Sequence, residues 1–461
     1  MTGFLRLIDA LDRTTLRTWL AVVSLVSLAQ RAVLVIFYQP VVYGDTPSYR
    51  RLADQLLQGL DHYDGTRTPG YPYFLALLGP DERVWLVQMA LGLATTFLFF
   101  YIGWQLSHRA WFGGIIALAH TLNLGQLYFE PNILSETLTT FLVSLTFAGL
   151  VYWMYRLKGK RIWLAIALGL VTSLSVMVRP LFIFFPFWIW LYVAFEPAQK
   201  GWLGRFPFRL NFAAGGAFLL PVVLLVGGWV LFIHEKYGDW GLSTMTGYHL
   251  IQHTGVFFEL VPDEYADLRD TYLRYRDQQI ALRGNQANTI WDAIPEMQQA
   301  SGYNFYDLSR VLAKISVQLI LEHPDLYLRN VMKGWWYFWR VPVYWSTEAF
   351  RWEFLAQLTG LLVMGTRVIL IAVNLIFLVT SLMALVWRRL RAWFPIPAAL
   401  WCLAGSVWAA SIVQTLVDHG DNPRFLVPMQ SLVVLWVFWL VYQVIQKGRA
   451  NPDGWNRLNG V

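Results

Sequence analysis

Residues 361–387 read LLVMGTRVILIAVNLIFLVTSLMALVW, and Arg388 and Arg389 follow directly. About 20 apolar residues in a helix are enough to cross the roughly 30 Å hydrocarbon core of a bilayer. This run is longer than that and holds one charged residue, Arg367. It therefore predicts a membrane-spanning helix with basic residues at its C-terminal end.

Apolar runs of similar character recur along the rest of the chain. The sequence is 56% hydrophobic and 14% charged, whereas about 25% of the residues in a soluble domain are charged. Together these features predict one all-α, polytopic integral-membrane domain over residues 1–461, with about ten transmembrane helices. The further spans are placed near 19–38, 84–106, 111–127, 135–155, 162–178, 180–195, 211–233, 395–417 and 425–446.

Lys and Arg residues gather in alternate connections between these spans. Basic residues near span ends resist translocation, so connections that are rich in them stay in the cytoplasm. We therefore expect a multi-pass protein of the cytoplasmic (inner) membrane with both termini in the cytoplasm and the remaining loops on the periplasmic or extracellular face. The cytoplasmic set comprises Arg6, Arg13, Arg17, Arg109, Arg156, Lys158, Lys160, Arg161, Lys200, Arg205, Arg209, Arg388, Arg389, Arg391, Lys447, Arg449 and Arg457.

Charge and cysteine content exclude some classes of function. The net charge of +7 is spread along a membrane surface and forms no basic domain, so anionic lipid headgroups, and not a nucleic acid, are the expected partners. Cys402 is the only cysteine, which excludes intramolecular disulfides and thiolate metal clusters.

Two outer segments, 39–83 and 234–360, are too long for simple turns, and loops of that length are usually functional. In the first segment, apolar residues recur at three- and four-residue spacing from Tyr49 onward, which predicts an amphipathic helix on the membrane. Thr46 fits the N-cap position of this helix, so Asp45 would lie just outside its start.

The second outer segment predicts a small, mostly helical extramembrane layer. A charged helical stretch covers 263–283, Gly284 and Asn285 interrupt it, and a second amphipathic stretch covers 306–321. The aromatic run at 335–345 favours the headgroup level, because Trp and Tyr rings are amphipathic. It indicates an interfacial helix that leads into the next span.

Four polar clusters lie beside the outer ends of the predicted spans. Polar groups without partners are costly in lipid, so such clusters are the places to look for chemistry. They are residues 44–49 with 67–72, residues 130–136, residues 179–180 and residues 418–424.

The clusters carry motifs of a known superfamily. GDTPSYRRLADQLLQG (44–59) and RTPGYPYFLALLG (67–79) resemble the opening of integral-membrane glycosyltransferases of the C superfamily. FEPNILSE (129–136) resembles their second acidic loop, HPDLYLRN (323–330) the end of their long loop, and DNPRFLVP (421–428) their late Arg-aromatic-Pro motif. The resemblance spans most of the chain and is closest to the bacterial group related to protein O-mannosyltransferases and lipid A aminoarabinose transferases, which use polyprenyl-phosphate-linked sugars.

The chain also departs from some branches of that superfamily. The mannosyltransferases carry adjacent Asp and Glu in the first loop, whereas Asp45 is followed by Thr46. A lectin-like module and the Arg-rich late motif of oligosaccharyltransferases are both missing. These departures favour transfer of a single sugar to a glycan or lipid over protein mannosylation.

The resemblance implies that Asp45 is the catalytic base. A hydroxyl acceptor is a poor nucleophile until a nearby carboxylate removes its proton in the transition state. The alternative for Asp45 is a helix cap or a partner of the helix dipole.

The resemblance further implies a binding site for the lipid phosphate. The planar guanidinium of Arg suits this role, because it can donate two parallel hydrogen bonds to a phosphate. Arg424 is the first candidate, although an interfacial Arg can also simply extend its head group to water. Weaker candidates for phosphate binding are Arg67, Arg179, Lys333 and Arg340, and His419 and Asp421, beside Arg424, are candidates for positioning the phosphate or the sugar.

Acceptor or sugar positioning is assigned to Glu130, Glu136, Tyr49 and Arg67. For Glu136, capping of the next helix is the alternative. A divalent metal held by Asp45, Glu130 and His62 is conceivable, because hard cations need only scattered oxygens. No ligand spacing is diagnostic of a metal, so we expect metal-free catalysis.

These features predict a glycosyltransferase that moves one sugar from a polyprenyl phosphate to a hydroxyl of a glycan, lipid or protein acceptor outside the cytoplasmic membrane. A transporter or flippase of lipid-linked glycans is the main alternative. Transporters place ionisable groups near the middle of the membrane, whereas here the charges gather at one face. An O-antigen polymerase or ligase and a purely structural subunit are the remaining alternatives.

Overall fold

The computed structural model describes residues 2–156, 161–196, 209–341, 343–418 and 423–450. Within these ranges the chain is almost entirely helical, which confirms the predicted all-α class. The extended pairings in these ranges are a two-residue antiparallel pair, β1 (Phe195–Glu196) with β2 (Arg209–Leu210), and an isolated parallel bridge between Val41 and Asn132.

The helices before the long outer segment include most of the predicted spans. They are α1 (Thr2–Asp12), α2 (Leu16–Phe37), α3 (Thr46–Gln58), α4 (Gly70–Leu78), α5 (Asp81–Ser107), α6 (Ala110–Thr121), α7 (Leu124–Leu127), α8 (Glu136–Tyr155), α9 (Ile162–Val178), α10 (Phe184–Ala194), α11 (Phe212–Val222) and α12 (Gly228–Tyr237).

The remaining helices form the outer layer and the last spans. They are α13 (Thr246–Thr254), α14 (Ala266–Arg283), α15 (Thr289–Ser301), α16 (Phe305–Glu322), α17 (Pro324–Phe338), α18 (Glu353–Val386), α19 (Arg388–Trp393), α20 (Ala398–Val417) and α21 (Val427–Ala450).

Seven helices of the described ranges are long and apolar enough to cross a membrane. They are α2, α5, α8, the α11–α12 unit, α18, α20 and α21 with the turn before it. Three shorter apolar helices, α6, α9 and the segment Pro180–Ala194, occupy the other positions at which spans are predicted. The chain is therefore a multi-pass membrane protein by length and composition.

Two of the predicted spans have internal irregularities. The run 111–127 is not one helix, because Asn123 separates α6 from α7 and its side chain accepts a hydrogen bond from the Gly125 N–H at 2.9 Å. In the seventh predicted span a π-helical turn, Val223–Gly227, joins α11 to α12 and begins two residues after Pro221. Proline removes a backbone N–H, so the helical hydrogen-bond ladder is already interrupted just before this turn.

Helix α21 lies at the centre of the bundle and packs against α6, α8, α18 and α20. Large side chains such as Trp153 and Trp436 are fully buried around it. Helices α2 and α18, in contrast, expose apolar side chains such as Leu25 and Leu361 along their length. Apolar surface of this kind is typical of a helix that faces lipid.

The long outer segment forms a helical layer with its own core. Helices α14 and α16 agree with the predicted stretches, and the chain breaks between them at Gly284, whose φ of 72° suits glycine. Tyr248, Leu268 and Leu312 are among the buried residues of this second core. Helix α17 links the layer to the membrane bundle, because it packs against both α16 and α20.

Candidate functional site

The segment 41–46, before α3, is joined to the segment 131–133, before α8, through hydrogen bonds. The Val41 N–H donates to the Pro131 carbonyl at 2.9 Å, and the Ile133 N–H donates to the Val41 carbonyl at 3.0 Å. The Thr46 hydroxyl donates to the Ile133 carbonyl at 2.9 Å. These bonds bring Asp45 and the start of α8 to one side of the bundle.

Asp45, and not Thr46, occupies the N-cap position of α3, so the predicted boundary is wrong by one residue. The Thr46 side chain is already engaged with the Ile133 carbonyl and with the Tyr43 N–H. Asp45 makes no side-chain capping bond to the helix. Its carboxylate is instead turned toward two arginines.

Arg67 is the first of the two arginines that bind the Asp45 carboxylate. Its Nη2 donates to Asp45 Oδ1 at 2.7 Å and its Nε donates to Ser48 Oγ at 3.3 Å. The guanidinium lies 4.6 Å from the centre of the Tyr49 ring, a cation–π distance. Three residues on, Gly70 packs so closely on α9 that a Cβ there would be 2.5 Å from the Met177 carbonyl oxygen.

Arg424 is the second arginine that binds the Asp45 carboxylate. It lies on the 3₁₀ turn Pro423–Leu426 that leads into α21, and it donates from Nη2 to Asp45 Oδ2. Its Nε is 3.4 Å from Glu136 Oε1. The side chain is only 13% exposed, so the guanidinium is held against both carboxylates at once.

Glu136 and Arg179 complete the cluster. Glu136 is the first residue of α8 and is 1% exposed, and Arg179 follows the last residue of α9. Arg179 Nη1 is 3.3 Å from Glu136 Oε1, and the guanidinium lies 5.2 Å from the centre of the Phe425 ring. The negative charge of Glu136 is also favourable at a helix N-terminus.

The cluster has unused hydrogen-bonding capacity. Both carboxylate oxygens of Glu136, Nη1 of Arg179 and Nε of Arg424 find no hydrogen-bond partner among the described residues. Buried polar groups are normally satisfied, so such a group calls for an explanation. The arrangement suits a site that a polar ligand completes.

Three guanidinium groups share two carboxylates, so the cluster carries a surplus of one positive charge. Burial alone would raise the pKa of Asp45, but the charges and hydrogen bonds of Arg67 and Arg424 hold it well below its ordinary value. Asp45 is therefore ionised at neutral pH. Arginine forks of this kind match the geometry of phosphate.

Glu130 lies in a different environment from the one expected. It forms a buried two-point ion pair with Arg31 of α2, Nε to Oε2 at 3.0 Å and Nη2 to Oε1 at 2.5 Å. His62 is exposed on the 3₁₀ turn Leu60–His62. In the described part of the chain, no three His, Cys, Asp or Glu residues stand close enough to hold a metal. The conceivable trio of Asp45, Glu130 and His62 is thus not assembled.

Lys333 and Arg340 are not among the contacts of Asp45 or Glu136. Both are exposed and lie against the ring of Tyr337, at 5.7 Å and 4.1 Å from its centre. His419 and Asp421 lie outside the described residues. Of the sequence-predicted site residues, the structure brings together Asp45, Tyr49, Arg67, Glu136, Arg179 and Arg424.

Sequence reasoning missed two pairs of ionisable side chains. Arg31 stands inside an apolar span, and an ionisable residue there could have been singled out for that reason alone. His249 of α13 lies 3.6 Å, Nδ1 to Oδ2, from Asp418 at the end of α20. No sequence signal marks His249, because it stands among apolar and polar residues of an ordinary amphipathic helix.

No family model, curated protein or solved structure matches this chain. Its function must therefore be argued from the five-residue cluster of Asp45, Glu136, Arg67, Arg179 and Arg424 and from the sequence motifs that carry these residues.

Proposed function

We propose that the chain is a glycosyltransferase that moves a single sugar from a polyprenyl-phosphate donor to a hydroxyl of a glycan, lipid or protein acceptor on the non-cytoplasmic face. The observation that carries the proposal is the partly buried cluster of three arginines and two carboxylates, in which several buried atoms lack hydrogen-bond partners among the described residues. All five residues lie beside helix ends, next to the outer loops.

The arginines suit the phosphate of the donor. When the bond between sugar and phosphate breaks, negative charge grows on the phosphate oxygens, and fixed donors in a water-poor site stabilise that charge. Nη1 of Arg179 and Nε of Arg424 have no hydrogen-bond acceptor among the described residues. A phosphate would provide those acceptors and would balance the surplus positive charge.

The carboxylates suit the sugar and the acceptor. Glu136 offers two oxygens without hydrogen-bond donors in the described part of the structure, and sugar hydroxyls are donors. Asp45 is the expected proton acceptor on the strength of the family resemblance. In this arrangement both of its oxygens accept from guanidinium groups, which makes it a weak base until a donor phosphate competes for the arginines.

The topology proposed with this function has ten spans, with α6, α9 and α10 as the short ones, and both termini in the cytoplasm. Successive spans then alternate in direction, so the ends of α2, α9 and α20 and the starts of α5, α8 and α21 share the outer face. The cluster lies at these ends. Arg156 and Arg388 lie at the opposite ends, as the positive-inside rule requires.

The test uses purified protein in lipid nanodiscs with a panel of radiolabelled polyprenyl-phosphate sugars and envelope extracts as the source of acceptor. We expect label to pass to one acceptor, and we expect Arg424→Ala to lose donor binding by roughly tenfold to a hundredfold, as for a charged hydrogen bond of about 1.5–3 kcal/mol. Arg283→Ala, which removes an exposed arginine at the end of α14, is the matched control.

A second format separates transfer from transport. The same protein in sealed vesicles is given labelled donor on one side, and both the product and the side on which the donor is found are followed. Movement of intact donor without any product would replace the proposal with the flippase.

A further inference from the structure

A histidine and an aspartate adjoin the cluster without being part of it. His249 is the fourth residue of α13, and Asp418 is the residue that ends α20. Their facing atoms, Nδ1 and Oδ2, are 3.6 Å apart, just beyond hydrogen-bond length, and Nδ1 has no other partner among the described residues. His249 is 34% exposed and Asp418 is 16% exposed, so the imidazole is held on one side and accessible on another.

The pair borders the site through both of its elements. Asp418 precedes Arg424 by six positions in the chain, at the near end of α20. Helix α13 packs on α17, and α17 packs on the turn Pro423–Leu426 that carries Arg424. His249 is close enough to Arg67 and Asp45 for both charges to act on its imidazole. The ring of Trp291 stands at 6.0 Å on another side.

Sugar transfer to a hydroxyl needs a proton acceptor, and the efficiency of a base rises with its pKa up to the working pH. Asp45 is poorly suited to that part, because two guanidinium groups occupy its oxygens and hold its pKa well below the ordinary value. A neutral imidazole is a much stronger base than such a carboxylate. An acidic group on the other ring nitrogen would stabilise the imidazolium that forms.

We propose that His249, and not Asp45 as the family resemblance implies, takes the proton of the acceptor hydroxyl and that Asp418 is its positioning residue, an inference that rests on the proposed transferase function. In this step the acceptor O–H bond breaks, its proton goes to Nε2 of His249, and the oxygen forms the new bond to the anomeric carbon. The bond between that carbon and the phosphate oxygen breaks, and its electron pair leaves with the lipid phosphate. The imidazolium then returns its proton to water.

Burial and the charge of Arg67 lower the pKa of His249, while Asp418 and Asp45 oppose them, and the lowering prevails. The imidazole is therefore neutral at neutral pH and ready to accept a proton. Transfer should decline as the pH falls through this lowered pKa, which lies below the ordinary value of 6.5. Arg67, Asp45 and Asp418 are the charged groups of the described residues that act on it.

The experiment measures kcat for transfer against pH for four proteins in nanodiscs: wild type, His249→Gln, Asp418→Asn and the control His62→Gln, which removes an exposed imidazole on the first outer loop. For His249→Gln we expect kcat to fall roughly 10²-fold or more, as for loss of a general base. Its decline at acid pH should disappear, with donor KM unchanged. Asp418→Asn should move the decline to lower pH, because the remaining imidazole loses its anionic neighbour.

Each result decides the matter. If wild type transfers sugar while His249→Gln keeps its kcat and its pH profile, the inference is overturned and the transferase function stands. If wild type transfers nothing, the function fails and the inference fails with it. Donor binding by His249→Gln reports whether that variant folds. If it does not fold, the Asp418→Asn variant is the test: a decline at lower pH supports the inference, and an unchanged or higher pH overturns it.

Discussion

In the described part of the chain, arginine meets carboxylate in the buried pair Arg31–Glu130 and in the partly buried cluster around Asp45 and Glu136, and the two differ in how many of their polar atoms have hydrogen-bond partners. Arg31 uses Nε and Nη2 on Glu130, and its Nη1 donates to the Ser27 carbonyl and to the Thr121 hydroxyl, both at 3.1 Å. In the cluster around Asp45 and Glu136, Glu136 Oε1 lies 3.3 Å from Arg179 Nη1 and 3.4 Å from Arg424 Nε, but none of these atoms has a hydrogen-bond partner of normal geometry among the described residues.

This difference distinguishes, better than residue type does, charged residues with a structural role from those that could bind a ligand. A buried ion pair with every hydrogen bond made is closed to ligands, and removing one partner leaves an uncompensated charge. A buried cluster with spare donors and acceptors has room in its bonding for a substrate. By this criterion Glu130 holds α2 against the segment that precedes α8, and Glu136, six residues later, faces the site.

The open cluster should be most sensitive to loss of Asp45, because one carboxylate orients two guanidinium groups. In Asp45→Asn a neutral amide replaces the charge that holds Arg67 and Arg424, and its N–H₂ points at one of them, so both guanidinium groups are misplaced. Removing one fixed donor typically costs 10²–10³-fold in rate, and we expect at least roughly a 10⁴-fold fall in single-turnover transfer. Asp81→Asn, which breaks the partly exposed pair with Arg50, should change it less than about threefold. Full turnover by Asp45→Asn would mean that the cluster is not the site.

Loss of one partner of the buried Arg31–Glu130 pair should instead lower the stability of the fold. Arg31→Met leaves the Glu130 charge buried, and breaking such a pair costs about 3–5 kcal/mol. We expect a clear fall in the thermal unfolding midpoint in detergent, with much of it recovered in the double variant Arg31→Met/Glu130→Gln, where no charge is stranded. A single variant as stable as wild type would contradict the structural role. A double variant that is stable and inactive would move Glu130 into the site.

The smallest effect is expected at Lys333, which lies outside both sites. Its ammonium is exposed and rests on the Tyr337 ring, and exposed cation–π contacts are worth about 0.5–1 kcal/mol. Lys333→Gln should therefore leave donor affinity, measured by equilibrium binding in nanodiscs, within about fivefold of wild type. A loss comparable to that of Arg424→Ala would extend the phosphate site to helix α17.

Much of the fold was accessible from the sequence, because apolar length and periodicity are local signals. Helices α14 and α16, the break at Gly284 and most spans agree with the predicted stretches. Local signals failed where a side chain had a distant partner. Thr46 was expected to cap α3, but its hydroxyl is taken by the Ile133 carbonyl, and Asn123 divides a run that reads as one span.

For the site, the sequence supplied the candidates but not their partners. Asp45 and Arg424 are separated by 379 positions, and no spacing rule links residues so far apart. The topology predicted from Lys and Arg placed Asp45, Glu136, Arg179 and Arg424 on one face, and the structure gives the contacts among them. It also distinguishes Glu130 from Glu136, which the motif FEPNILSE offers as equals.

The hydrogen bonds between Val41 and the backbone at Pro131 and Ile133 have a mechanical consequence. Membranes differ in thickness by a few Å, and spanning helices answer by tilting. The hydrogen bonds join the segment between α2 and Asp45 to the segment just before Glu136. If α2 or α8 tilts, we therefore expect Asp45 and Glu136 to move together. We expect the spacing of the charged groups to be insulated from bilayer thickness, so that turnover depends on the head group of the donor more than on the acyl-chain length of the surrounding lipid.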